Sequence, residues 1–120
     1  MDSREKLQLA RNIIIRDYNV FIREIVLEKD RPVLKAIFHT EIVLYIRYND
    51  YNEYTYCVIF SPNPDDLMRF DNYDNVWDVP TRPHHFHIRG MESVIESPMI
   101  GIPNKHIPNL FKSIFKYLKN

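Results

Sequence analysis

The sequence is poor in residues that staple or loosen a chain. Its single cysteine, Cys57, leaves no intrachain disulfide framework and no cysteine pair for a zinc site. Only two glycines occur in 120 residues, one of them Gly90, and none forms a glycine-rich phosphate loop, which argues against a nucleotide-dependent enzyme. No apolar run approaches the ~20 residues needed to span a bilayer, and no apolar leader opens the sequence. The expectation is a cytoplasmic protein with no membrane partner. The formal net charge is zero, so bulk charge selects no partner either.

What is present describes one globular domain over residues 1–120. Hydrophobic residues make up 45% and charged residues 27%, and a chain of 120 residues buries enough surface for one core. Eight tyrosines favour strands over bare helices. The charge is unevenly spread. Ser61 to Pro80 holds five Asp against one Arg, and Ser97 to the end holds four Lys and no acid.

Asp2 and Glu5 form a capping-box pattern ahead of Leu7, Ala10, Ile13 and Ile14, which predicts a helix from Ser3 to about Asp17. From Val20 the period changes to β. Strands are expected at Val20–Leu27, around Leu34–Phe38, at Ile42–Tyr48, at Tyr54–Phe60 and at Leu67–Asp71. A tight reversal near His39–Glu41 and a hairpin loop at Asn49–Glu53 separate three of them. Ile107, Leu110, Phe111, Ile114, Phe115 and Leu118 then make one apolar stripe at helical spacing, with Pro108 suited to the first turn. The fold class is α+β: an antiparallel meander of about five strands flanked by an N-terminal and a C-terminal helix, both on one face.

The chemistry concentrates in RPHHFHIRG, Arg82 to Gly90, which gathers three of the five histidines. Pro83 biases the segment towards an extended form, and His85 and His87 then share one side. A metal reading uses His85-x-His87 as two ligands and needs a third from Asp71, Asp74 or Asp78, none at diagnostic spacing. An acid–base reading uses more of the sequence. Cutting RNA without a metal needs a base on the 2′-hydroxyl, an acid on the leaving oxygen and cations on the phosphate. Histidine titrates near working pH, and the arginine fork matches a phosphate. His85, His87, Arg69 and Asp71 are the catalytic candidates, with Asp71 orienting an imidazole and Arg69 clamping phosphate. Tyr54, Tyr56, Arg82 and Arg89 are the substrate-binding candidates, the tyrosines as stacking platforms. A third reading makes the cluster a structural hub with no chemistry. Cys57, between the two tyrosines, reads as a small hydrophobe.

Taken in order, Tyr54-Thr-Tyr56, Arg69-Phe-Asp71-Asn72 and Pro83-His84-His85-Phe-His87 resemble the TumE family, small toxins encoded beside antitoxins. The resemblance runs from about Val20 to Gly90, and the C-terminal helix looks like an addition or a divergent end. Many members of the family carry a further histidine pair shortly after the Asp-Asn, where this chain has Tyr73-Asp74-Asn75. The resemblance implies the toxin of a toxin–antitoxin pair, with a cognate antitoxin from a neighbouring gene as partner. The expected activity is that of a small metal-independent ribonuclease acting on RNA without a cofactor. Two alternatives stand beside it: a non-enzymatic protein-binding module with a structural His/Arg cluster, and a metal-dependent nuclease using the His-x-His pair. A homo-oligomer is left open.

Overall fold

The computed structural model describes residues 1–118. Helix α1 (Ser3–Tyr18) starts where the sequence places it. The Asp2 side chain accepts from the Glu5 N–H at 2.8 Å, and Glu5 Oε1 accepts from the Asp2 N–H at 3.3 Å, closing the capping box. One 3-10 turn, Asn19–Phe21, then redirects the chain, so the first strand begins later than Val20.

Seven strands follow among the described residues: β1 (Ile22–Leu27), β2 (Val33–Phe38), β3 (Val43–Tyr48), β4 (Tyr54–Ile59), β5 (Leu67–Asp71), β6 (His85–His87) and β7 (Val94–Glu96). They pair in sequence order and all antiparallel, a single meander. The sequence implies about five strands. The two extra ones, β6 and β7, have three residues each, too few for an alternation to register. The class is α+β as expected.

One face of the sheet carries the core. Leu34, Ala36 and Phe38 of β2 and Leu44, Ile46 and Tyr48 of β3 point into it. So do Tyr54, Tyr56 and Val58 of β4 and Met68 and Phe70 of β5. Helix α1 adds Leu7, Ala10, Ile13 and Ile14, and helix α2 (Pro103–Phe115) adds Ile107, Leu110, Phe111 and Ile114. Phe111 ties the layers together, stacking on Tyr18 at 4.1 Å between ring centroids and on Phe38 at 5.6 Å. Phe115 and Leu118, the end of the apolar stripe, are only partly buried.

Helix α2 starts a turn earlier than its apolar stripe. Pro103, not Pro108, takes the first turn, and Pro108 lies inside the helix. The start is secured from within: His106 Nδ1 accepts the Ile102 N–H at 3.0 Å, satisfying a donor the helix leaves free. Gly101 just before it is required twice over. Its φ is +81°, and a Cβ there would lie 2.3 Å from the Tyr54 ring. No helix among the described residues is long and apolar enough to cross a membrane.

Candidate functional site

The register of β5 and β6 builds the site on the sheet face away from the helices. Arg69 stands opposite His87, and Asp71 opposite His85. Period-2 alternation sends these four side chains to the open face while Phe70 and Phe86 stack at 4.1 Å on the core side. The Arg82–Pro83 peptide that leads into β6 is cis.

Asp71 is the hub. It is 4% exposed, and a buried carboxylate must be paired. Its Oδ1 accepts from His85 Nε2 at 2.8 Å and from the Tyr73 N–H at 3.2 Å, while its Oδ2 lies 2.7 Å from Arg69 Nε. The last contact is ionic rather than a directed hydrogen bond: the Arg69 Nε–H is misaligned and finds no acceptor among the described residues.

The two outward histidines differ. His85 is 1% exposed, with Nδ1 2.9 Å from the Pro83 carbonyl oxygen and Nε2 on Asp71. Both neighbours are acceptors, so each ring nitrogen faces an oxygen that a ring N–H can serve. His87 is partly exposed, and its Nε2 lies 3.0 Å from Arg69 Nη2. Guanidinium has no acceptor, so His87 Nε2 must accept and the ring proton sits on Nδ1. Burial, and after it the Arg69 charge, push the His87 pKa below its ordinary value. Trp77 covers this corner, its ring 5.8 Å from His85 and 5.5 Å from His87, edge-on to the latter.

Arg69 balances Asp71, beside a His87 Nε2 able to accept a proton. Next to it a depression of about 290 Å³ is lined by Arg47, Thr55, Cys57, Arg69, Asp71, Tyr73 and Asp74. Burial raises the Cys57 thiol pKa, which removes it as a nucleophile. Arg47 and Tyr73 are absent from the sequence-based candidates. The signal for Arg47 was there: Leu44, Ile46 and Tyr48 alternate inward, which sends Arg47 outward.

The donor atoms of Asp71, His85 and His87 all lie within 4.8 Å of one another, a spacing that suits a metal. The Nδ1 of His85 on a backbone carbonyl is also the outer bond that metal-bound imidazoles make. Two features oppose that use. His85 and Asp71 are in direct hydrogen-bond contact, and the Arg69 guanidinium already engages both Asp71 Oδ2 and His87 Nε2. A dication would have to displace a permanent cation.

The substrate-binding candidates fare differently from the catalytic ones. Tyr54 and Tyr56 are 2% and 0% exposed and point into the core, so neither is available to stack on a base. The Tyr56 hydroxyl meets Tyr48 at 2.7 Å, and Tyr54 donates to the Met99 carbonyl at 3.1 Å. Tyr54 also holds His84 Nδ1 at 3.0 Å, so His84 braces the start of β6 from the side opposite His85. Arg82 bonds Asn75 through its side-chain oxygen at 3.1 Å and its backbone oxygen at 3.3 Å. Arg89 is paired with Asp66 at 2.7 Å and lies 4.1 Å above the Phe60 ring, a clamp on the fold. Of the arginines, Arg69 and Arg47 line the open-face depression, while Arg82 and Arg89 are engaged by local partners.

The sequence model of the family described as Toxin TumE matches residues 5–119. The chain belongs to the TumE toxin family. Neither curated proteins nor solved structures gave a match. The family match takes in all of α2, so the C-terminal helix is part of the TumE domain rather than an addition to it.

Three imidazoles of this TumE domain respond to acid together. His84, His87 and His106 all have lowered pKa values, burial being the first cause in each. The unfolded chain takes up these protons near pH 6.5, and the folded chain only below it. Stability from these groups is therefore intact above about pH 6.5 and lost as pH falls from there through the folded values. Thermal melts should show a flat midpoint above pH 7 and a fall between about pH 6.5 and 5. The carboxylates with lowered values, Asp66 among them, act only below that window. An unchanged midpoint across it would contradict the assignment.

Proposed function

We propose that this TumE toxin disables RNA by cleaving phosphodiesters without a metal. One observation carries the reading: on an open sheet face, a guanidinium is bonded to the free lone pair of a neutral histidine, over a buried Asp71–His85 pair that fixes its position. Arg69 takes the phosphate through Nη1 and Nη2, the outer pair of its fork, Nη2 leaving His87 to do so. As Arg69 turns to the phosphate, His87 Nε2 is released to accept the proton of the 2′-hydroxyl. The 2′-oxygen attacks phosphorus, the bond to the 5′-oxygen breaks, and that oxygen takes back a proton from His87. The products are a 2′,3′-cyclic phosphate and a 5′-hydroxyl. His85 is too buried to reach substrate; it is a positioning residue that holds Asp71 in place. Tyr73 hangs its backbone on the same carboxylate.

A cognate antitoxin encoded by a neighbouring gene holds the toxin inactive by covering the Arg82–Gly90 region, whose basic site faces the acidic Ser61–Pro80 segment. A second reading, in which Asp71, His85 and His87 hold a divalent metal, is supported by the convergence of their donor atoms.

The test is incubation of the purified protein with single-stranded RNA and the matching DNA, with and without EDTA. Cleavage of RNA alone, persisting in EDTA and ending in a cyclic phosphate, is the expected result. Cleavage abolished by EDTA and restored by a divalent ion would favour the metal. No cleavage, together with antitoxin binding, would favour a non-enzymatic binding module.

A further inference from the structure

The cross-strand register carries the site beyond its four residues. On the open face Lys35, Tyr45, Cys57, Arg69 and His87 form one continuous row across β2 to β6. The neighbouring row runs Arg47, Thr55, Asp71, His85. Tyr45 therefore stands two strand spacings, ~10 Å, from Arg69 along the same line as His87. Two cations lie near its ring, Lys35 Nζ 5.8 Å and the Arg47 guanidinium carbon 5.9 Å from its centroid.

Arg47 is exposed, has no ion-pair partner among the described residues, and lines the same depression as Arg69. Against these cations that depression presents Asp74 at its rim, besides the already paired Asp71. An aromatic ring with two cations beside it on the sheet, next to a depression that holds two guanidinium groups, matches the way single-stranded nucleic acids are gripped. Bases stack on rings in any sequence, and cations follow the backbone.

We infer that the Lys35–Tyr45–Arg47 strip is a subsite for the single-stranded RNA flanking the cut phosphate, Tyr45 stacking on a base and Arg47 binding the adjoining phosphate. This rests on the RNA-cleaving reading of the Arg69–His87 site. The strip makes the toxin select unpaired RNA, because a base inside a duplex has no free face to lay on Tyr45. It also leaves base identity largely unread, since neither group tests base edges.

The experiment measures anisotropy of a fluorescein-labelled single-stranded RNA, using the full chain carrying His87→Ala so that the probe is not cut. Arg47→Ala, Tyr45→Ala and Tyr45→Phe are added to it, and a hairpin of the same sequence serves as control. Arg47→Ala should weaken binding and reduce the slope of log affinity against log salt by about 0.7, the value of one single-strand phosphate contact. Tyr45→Ala should weaken binding roughly 5- to 150-fold with that slope unchanged, as loss of one stacked base predicts. Tyr45→Phe should bind like the parent, and the hairpin more weakly than the single strand.

Arg47 is exposed, so its variant reads the proposal even if Tyr45→Ala fails to fold. A parent that binds and a wild type that cleaves, with Arg47→Ala and folded Tyr45→Ala unchanged, would overturn the strip alone. A parent that does not bind RNA would overturn the strip and the RNA-cleaving reading together. Variants that bind RNA normally but lose the antitoxin would assign the strip to protein binding and overturn it as an RNA subsite.

Discussion

His87→Ala should lower RNA cleavage by about 10²–10⁴-fold, the usual loss when a general base or acid is removed, and should let cells expressing the variant grow. Its melting temperature should stay near that of the wild type. The ring is partly exposed, and its one inter-residue bond, from Arg69 Nη2, can be replaced by water. Arg69→Ala should also relieve growth inhibition, through loss of the phosphate clamp. Arg69→Lys should recover part of the activity, since it keeps the charge but not the fork. Growth curves, cleavage rates and melts on the same variants separate the readings. If His87→Ala and Arg69→Ala stay fully toxic with unchanged melts, the chemistry lies elsewhere. If both simply unfold, the cluster is a structural hub.

The fold and the site were legible to different depths. Long elements with clear periods were readable: the capping box of α1, the inward alternation of β2 to β5, and the stripe of α2 from Ile107 to Ile114 lie where their patterns put them. That His85 and His87 share a side followed from an extended form of their segment; the β5–β6 register then sets them opposite Asp71 and Arg69. Depth was not readable. Alternation says which face His85 occupies, but not that the loop carrying Trp77 covers it until 1% of it is exposed. Nor did it separate the faces of β4 correctly for function. Tyr54 and Tyr56 look like a binding pair in sequence, yet they share a side with Val58 and lie under the helices. The outward residues of β3, Tyr45 and Arg47, follow from the same rule, but no motif contains them. Arg82 and Arg89 flank the histidines in sequence, but each is engaged by a local partner, Asn75 or Asp66.

Asp71→Ala should destabilise the protein by about 3–5 kcal/mol, the range for removing one partner of a buried ion pair. For a chain of this length that corresponds to a fall of roughly 10–25 °C in melting temperature. The size follows from what is left behind. His85, 1% exposed, would retain an Nε2–H with no acceptor, and the Tyr73 N–H and Arg69 would each lose a contact to the same carboxylate. Asp71→Asn keeps an oxygen for one donor and should lose less. The pair is coupled, so a double-mutant cycle of Asp71→Ala with His85→Ala should give a double variant little worse than the worse single variant. The same pair can be read directly. The ring N–H that meets Asp71 Oδ1 should appear in the nitrogen-15 spectrum of the folded protein, protected from exchange, and should lose that protection in Asp71→Ala. An Nε2 without a proton would leave its lone pair against a carboxylate oxygen, an arrangement that holds only with a cation, proton or metal, between the two.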